Sequence, residues 1–228
     1  MGIEIDKRII LCDFDGTITT RDITSTLCRT FIPERWAEVE QLWETGVISA
    51  TECYELEYEA LGFRRQGIDA FLLATDIDPG TGRLLQAARE LGWEFLIVSA
   101  GFDYYIETVL GRHGLSAPYV ANYLYFDEGG VPRFDFLAHD DPKCRRFKHP
   151  CAGCKPLTFD AWKAKGYRIA FVGDGSTDFC MAEHFAAKAG PGDLLFAKTR
   201  LLDYCRQQGV PAIPYDTLAD VAEVIRDS

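Results

Sequence analysis

Two aspartates, Asp13 and Asp15, stand one residue apart at the end of a short apolar run, in the stretch ILCDFDGTIT. In extended backbone, residues i and i+2 point to one side, so both carboxylates can face a common site. Two more apolar runs end in polar clusters. One is Ser99, Ala100 and Gly101; the other runs from Gly173 through Asp174, Gly175, Ser176 and Thr177 to Asp178. Carboxylates gathered in one place repel one another and hold their protons. A hard divalent cation relieves that crowding, and oxygen ligands beside a phosphate are the usual setting of Mg²⁺. The chemistry implied is phosphoryl transfer. One aspartate attacks, the other moves protons, and Gly16 lets the chain turn beside the substrate. The phosphoryl oxygens need positive charge and N–H donors. Ser99, the amides near Ala100 and Gly101, and Lys155 in GCKP can supply them.

Bringing these groups together takes parallel strands whose carboxyl ends meet. Ile9 to Cys12 reads as a buried strand, WEFLIVSAG as a second and YRIAFVGDG as a third. DPGTGRLLQAARELG is a helix with a Gly stop, LTFDAWKAKG another, and DTLADVAEVIRD a closing helix. DLLFA and VPAIPY are shorter strand candidates. Alternation of this kind predicts an α/β fold, a parallel sheet with helices on both faces. In such sheets, sites form at the carboxyl ends of the strands. Between residues 119 and 137, YVANYLYF and VPRFDFLA flank DEGG and predict a hairpin. Residues 23 to 75 differ in character. Phe31, Trp36, Val39, Leu42 and Trp43, then Cys53, Leu56, Tyr58 and Leu61, recur at helical spacing, and Pro33 suits a first helical turn. The segment reads as a small helical insert.

The motifs DFDGT, SAG, the lysine of CKP and GDGSTD, in that order over nearly the whole chain, resemble the four motifs of the haloacid dehalogenase-like phosphatases. The resemblance implies a Rossmann-like core of residues 1–20 and 76–228 and a helical cap of residues 21–75. It implies that Asp13 attacks phosphorus to form an aspartyl-phosphate, and that Asp15 protonates the leaving oxygen and later activates water. Mg²⁺ would be held by the Asp13 carboxylate, the Asp15 carbonyl and Asp174, with Asp178 and Thr177 supporting that site from behind. Ser99, Ala100, Gly101 and Lys155 would bind the phosphoryl group. Within the family, CDFDGTIT with Asp22 following, CAGCKP, and the tail LLFAKTRLLDYCRQQGVPAIPY are most similar to the methionine-salvage phosphatases. Those act on 2-hydroxy-3-keto-5-methylthiopentenyl-1-phosphate. VGDGSTDFC is also similar to phosphoethanolamine and phosphocholine phosphatases, and phosphoserine phosphatases are a third set of relatives. Asp22 lies where the last group has an acid near the amine. Their cap arginine has no clear counterpart here, although Arg64 or Arg65 could serve. Trp36, Trp43, Tyr54, Tyr58 and Phe63 suit a substrate with an apolar tail, or simply pack the cap. A rival of another class is a family member that binds a phosphate ligand without turnover. A metal-free dehalogenase is disfavoured by Asp15 and Asp174.

Blander readings exist for each group. Two aspartates after a strand can cap a helix. Ser99 could be an ordinary helix cap, and Lys155 a solvated lysine with Lys143 and Lys148 nearby. Asp22 touches substrate or forms a surface ion pair; for Arg64 and Arg65 the surface reading is favoured. Cys144, Cys151 and Cys154, with His139 and His149, fall close together, and the spacing of Cys151 and Cys154 fits structural Zn²⁺ completed by Cys144 or His149. Free thiols are the favoured alternative. Cys12, Cys28, Cys53, Cys180 and Cys205 read as buried small hydrophobes. His113 and His184 sit in helical stretches and receive no role.

The bulk numbers bound these readings. With 228 residues, 47% hydrophobic and 26% charged, the chain can build an ordinary core without disulfides. A net charge of −11 argues against nucleic acid, because neutralising its phosphates takes a basic face. A small phosphorylated metabolite needs only a few local cations. No long apolar run reads as an export signal or a membrane span, so a cytoplasmic location and thiols in a reducing compartment are expected. Oligomeric state leaves no trace in the sequence.

Overall fold

The computed structural model describes residues 7–137 and 154–228. The elements in chain order are β1 (Arg8–Cys12), α1 (Ile23–Phe31), α2 (Pro33–Glu44), α3 (Ala50–Leu61), α4 (Arg65–Leu73), α5 (Thr81–Leu91) and β2 (Glu94–Phe102). Then come α6 (Asp103–Arg112), β3 (Tyr119–Phe126), β4 (Pro132–Asp135), α7 (Lys155–Ala164) and β5 (Arg168–Gly173). The chain ends with a 3₁₀ turn at Ser176–Asp178, α8 (Phe179–Lys188), β6 (Leu194–Ala197), α9 (Thr199–Gln208), β7 (Ile213–Pro214) and α10 (Leu218–Arg226).

The strands form one seven-stranded sheet in the order β4-β3-β2-β1-β5-β6-β7. Every pairing is parallel except β3 with β4, which is the expected hairpin. β1 is central: Leu11 lies opposite Leu96 on one side and Phe171 on the other. Its side chains alternate between two apolar layers, as the twofold period of a strand requires. Ile10 and Cys12 join Leu84, Ala87, Val109 and Val221 on one face. Ile9 and Leu11 join Phe159, Met181, Phe185 and Leu201 on the other. Burial on both faces explains why β1 is apolar without interruption. The chain builds outward from β1 first through β2 and β3, then through β5, β6 and β7. That reversal opens a crevice at the carboxyl end of β1, where ligands settle in sheets of this type.

Local signals explain the helix limits. Pro33 opens α2. A capping box of Ser49 and Glu52 starts α3, and Gly92, at φ 69°, ends α5.

Helices α1 to α4 occupy the gap between β1 and α5 and add no strand to the sheet. The chain departs and returns at one point. Thr20 N donates to Asp76 O at 3.1 Å, Asp78 N donates to Ile18 O at 2.7 Å, and Thr19 bridges Ile77. The insert is packed firmly on the sheet layer: Leu27, Cys28, Tyr58, Leu61, Ile68 and Leu72 share a core with Phe102 and Tyr105. The Tyr58 ring meets Phe134 edge-on at 4.9 Å. Among the described residues, no helix is long and apolar enough to cross a membrane.

Candidate active site

At the end of β1, Asp13 N donates to Val172 O at 2.9 Å. The chain then winds on the Phe14 carbonyl, which accepts from the amides of Thr17 (3.2 Å), Ile18 (2.9 Å) and Thr19 (3.0 Å). Gly16 makes this possible. Its φ is +78°, and a Cβ there would lie 2.5 Å from Asp174 Oδ2. Conformation and space both demand glycine. β2 brings Ser99, which is 1% exposed. Its Oγ accepts from Gly101 N at 2.9 Å and lies 3.5 Å from Asp15 Oδ2. The other Asp15 oxygen accepts from Ile23 N at 3.2 Å. Asn122 of β3, fully buried, donates to Ala100 O (2.7 Å) and Gly101 O (3.1 Å) and so fixes the loop beyond Ser99.

Lys155 is the first residue of α7 and turns inward. Its Nζ lies 2.7 Å from Asp13 Oδ1 and 2.5 Å from Asp178 Oδ1. Thr177 Oγ1 accepts from it at 3.4 Å. The second Asp178 oxygen accepts from the amides of Asp174 (3.0 Å) and Gly175 (3.1 Å). Thr17 Oγ1 donates to Asp174 Oδ1 at 2.9 Å. Carboxylate oxygens of Asp13, Asp174 and Asp178 lie within 4.8 Å of one another.

Asp13 and Asp178 are buried and share the Lys155 ammonium, with the half-buried Asp174 beside them, so negative charge is in surplus. Burial alone would lower the Lys155 pKa, but Asp13 and Asp178 outweigh it and keep the ammonium charged. Burial pushes Asp13 upward, with Asp178 adding and Lys155 opposing. Asp174 is raised to about 7 by burial and by Asp178, against the Thr17 hydrogen bond and Lys198. Asp15 is raised to about 8 by burial and by Asp22, against the Ile23 amide.

This donor set fits Mg²⁺. Its ligands are hard oxygens, its surplus charge is negative, and burial removes the water that would otherwise screen it. Asp178 has both oxygens engaged. Asp13 and Asp174 each keep one oxygen clear of hydrogen bonds among the described residues. The Asp15 carboxylate points to Ser99 and Ile23 and stands outside the trio, which leaves its backbone carbonyl as the group it could offer an ion.

A cavity of about 510 Å³ lies between the strand ends and α1 to α3. Asp15, Ala100, Asp174 and Thr177 line its sheet side; Trp36, Glu40, Trp43, Tyr54 and Glu57 line its helical side. Asp13, 3% exposed, is not part of this lining. Tyr54 joins the two sides, donating its hydroxyl to Ala100 O at 3.3 Å. A second acid group sits in the helical wall: ligand atoms of Glu40, Cys53 and Glu57 lie within 4.8 Å of one another. Glu57 is 3% exposed. Its pKa is raised to about 8 by burial and by Glu40 and Asp22. Glu40 is raised to about 7 by burial and by Glu44.

Several sequence readings are revised here. Ser99 caps no helix, because β2 runs on to Phe102, the residue that flanks α6. Lys155 is no solvated lysine, being 2% exposed. Asp22 caps α1, accepting from Ser25 N at 2.7 Å, and forms no ion pair among the described residues; it also lines the cavity. Arg64 donates to Gly129 O at 2.7 Å and Arg65 pairs with Asp69 at 3.6 Å, and neither lines the cavity. The insert aromatics divide: Tyr58 and Phe63 pack, Phe63 edge-on to Phe31 at 4.8 Å, whereas Trp36, Trp43 and Tyr54 face the cavity. Cys53 is buried as expected and also lines the cavity, whereas Cys180 is only half-buried. Cys144, Cys151, His139 and His149 of the zinc reading lie outside the described residues, as do Lys143 and Lys148; Cys154 precedes α7. His184 Nε2 meets Asp160 Oδ1 at 2.8 Å. The sequence reading lacked Asn122, Glu40 and Glu57. For Glu57 a signal existed: it falls on the stripe of Cys53 and Leu61, an acid on an apolar helical face.

The family model described as haloacid dehalogenase-like hydrolase matches residues 10–183. A protein of Exiguobacterium sp. AT1b named 2-hydroxy-3-keto-5-methylthiopentenyl-1-phosphate phosphatase is 26% identical over 219 residues, covering 95% of this chain and 96% of its own. A protein of the same name from Microcystis aeruginosa is 29% identical over 224 residues, covering 96% and 98%. Among solved structures, a HAD family hydrolase from Salmonella enterica serovar Typhi superposes with a TM-score of 0.71 at 18% identity, covering 99% of this chain and 74% of the other. A phosphoserine phosphatase solved as a phospho-aspartyl intermediate analogue gives 0.65 at 19%, covering 96% and 99%. At these identities the two structures speak for the fold alone. With the family match spanning most of the sheet and all three strand-end clusters, the chain belongs to the haloacid dehalogenase-like hydrolases.

Proposed function

We propose that this protein is a Mg²⁺-dependent phosphatase that acts on a small phosphorylated metabolite of the cytoplasm through an aspartyl-phosphate on Asp13. The observation that carries this reading is the bridge of Lys155 between Asp13 and Asp178, beside Asp174 and under a cavity walled by Asp15. Ser99, the amides at Ala100 and Gly101, and Lys155 bind the phosphoryl oxygens. A carboxylate oxygen of Asp13 bonds to phosphorus as the ester P–O bond breaks. Asp15, whose raised pKa of about 8 keeps it protonated near neutrality, gives its proton to the leaving oxygen. It then takes a proton from water as that water's oxygen bonds to phosphorus and the bond to Asp13 breaks. Phosphate and the free Asp13 carboxylate result. Asp13, Asp174 and the Asp15 carbonyl would hold the ion, which would supply positive charge to the phosphoryl oxygens. Asp178 and Thr177 brace the loop that carries Asp174. Residues 21–75 act as a cap on a core of residues 1–20 and 76–228.

The first substrate to try is 2-hydroxy-3-keto-5-methylthiopentenyl-1-phosphate, the compound in the names of the relatives, with its thioether tail against Trp36, Trp43 and Tyr54. Hydrolysis of p-nitrophenyl phosphate with Mg²⁺, before and after dialysis against a chelator, tests the chemistry. Chelation should stop turnover. Acid-quenched protein should carry phosphate on residue 13, and none in Asp13→Asn. Full activity without metal, or unaltered turnover in that variant, would remove the proposal.

A further inference from the structure

The acid group in the helical wall takes no part in holding phosphate, yet its side chains converge. Glu40 comes from α2. Cys53 and Glu57 come from α3, four residues apart and so on one face of that helix. One oxygen of each glutamate and the Cys53 sulfur lie within 4.8 Å of one another. Glu57 is 3% exposed and Cys53 is 7% exposed. Among the described residues no hydrogen bond or ion pair reaches the carboxylate of Glu40 or Glu57. The two cations that line the cavity are engaged elsewhere: Arg200 pairs with Glu44 at 3.3 Å, and Arg29 lies 4.5 Å over the Trp36 ring. A buried acid without a partner is costly unless something brings it one. Converging ligand atoms and an orphaned buried carboxylate are separate facts, and both point to a cation.

The donor types choose the ion. A thiolate is a poor ligand for Mg²⁺ and a good one for Zn²⁺. Around a tetrahedral Zn²⁺, with sulfur at about 2.3 Å and oxygen at about 2.1 Å, ligand atoms stand about 3.4 to 3.6 Å apart. Three atoms already within 4.8 Å reach that spacing by small side-chain rotations. Glu40, Cys53 and Glu57 all line the cavity, so a fourth position faces the space above Asp15.

We infer that Glu40, Cys53 and Glu57 form a metal centre of their own, which takes a thiophilic divalent cation of the Zn²⁺ class, fastens α2 to α3 and leaves one coordination position open to the cavity. The centre is independent of turnover. It shares no ligand with the strand-end acids, and it uses none of Cys144, Cys151 and Cys154. Only the thiolate binds the ion, so the Cys53 proton passes to solvent as the sulfur–metal bond forms. The ion replaces the repulsion among the three groups with bonds, and its binding is thereby coupled to the folding of the helical insert. Without the ion, Glu57→Gln removes a buried acid; with it, the same substitution removes a ligand.

The test titrates the full chain with Co²⁺ in the presence of excess Mg²⁺, which fills the strand-end acids. A thiolate ligand gives Co²⁺ a charge-transfer absorption in the near ultraviolet, and four-coordination gives it intense visible bands. The wild type should show both and lose them when Zn²⁺ is added. Asp174→Asn should keep them. Cys53→Ser should lose the charge-transfer absorption, and Glu57→Gln should bind Co²⁺ at least about tenfold more weakly while its circular dichroism spectrum stays native. Thermal unfolding supplies a second readout: Zn²⁺ should raise the Tm of the wild type and of Asp174→Asn, and leave that of Glu57→Gln unmoved. No thiolate absorption in the wild type, or an absorption undiminished in both Cys53→Ser and Glu57→Gln, would overturn the inference. Loss of the absorption in Cys151→Ser with Cys53→Ser unaffected would overturn it too, by placing the thiolate outside α3. Bands missing in Asp174→Asn would overturn it by assigning the ion to the strand ends.

Discussion

Among the described residues, the molecule holds two largely buried acid groups, and they are built on opposite terms. At the strand ends, Asp13, Asp174 and Asp178 are threaded by Lys155, two amides and the Thr17 hydroxyl. In the helical wall, Glu40 and Glu57 lie beside Cys53 and form no ion pair among the described residues. Burial raises the carboxyl pKa in both places. Only the first has fixed donors to answer it. A group that the fold itself satisfies can hold its geometry before a ligand arrives. One left unsatisfied costs stability until a ligand arrives, and so marks a place where selection has favoured binding over folding.

The comparison can be broken at either end. The largest effect is expected at Asp13→Asn, where turnover of p-nitrophenyl phosphate should fall by roughly four orders of magnitude or more while the circular dichroism spectrum stays native. Next is Lys155→Met, which strands Asp13 and Asp178 in the interior. Urea unfolding should show a loss of about 3–5 kcal/mol. A loss below about 1 kcal/mol would mean that the strand-end acids are not held by this lysine. Glu57→Gln should do the opposite and stabilise. Glu57 has a folded pKa of about 8, above its ordinary value of 4.5, so the folded chain binds the extra proton between those values. Its stability therefore falls as pH rises through that window. Relative to wild type, Glu57→Gln should gain about 4 kcal/mol near pH 8 and about 1 kcal/mol near pH 5. A gap that does not widen with pH would place Glu57 in contact with solvent or a partner. Asp22, Glu40 and Cys53 face the same space; a gap that widened equally in Glu40→Gln would assign the titration to the pair. The smallest effect is expected at Tyr54→Phe. Losing its 3.3 Å bond to Ala100 O should cost about 1 kcal/mol or less, read as a raised KM for small esters with kcat nearly kept.

What could be read in advance follows the same division. β1, β2 and β5 announce themselves because a strand buried on both faces is apolar throughout, and the residues that end them are chemically conspicuous. Lys155 could be named from CKP, but not its two partners, which come from the end of β1 and the turn after β5, far apart in sequence. Glu57 sits on a stripe that reads as packing, and only the structure shows that the stripe faces a cavity. Asn122 looks like any strand asparagine until its amide is seen to hold Ala100 and Gly101. Helix α9 has its buried residues Leu201 and Cys205 spaced by four, too sparse a pattern to stand out from its polar neighbours.

The narrow neck at Thr19 and Ile77 has an evolutionary corollary. Because the segment between them leaves and rejoins at adjoining positions, its length and sequence can be exchanged without shifting Asp13, Asp174 or Lys155, provided the amide of residue 23 still meets Asp15. A graft of residues 21–75 from a relative would then carry taste for substrate along with it, while the reacting groups stay where the sheet put them.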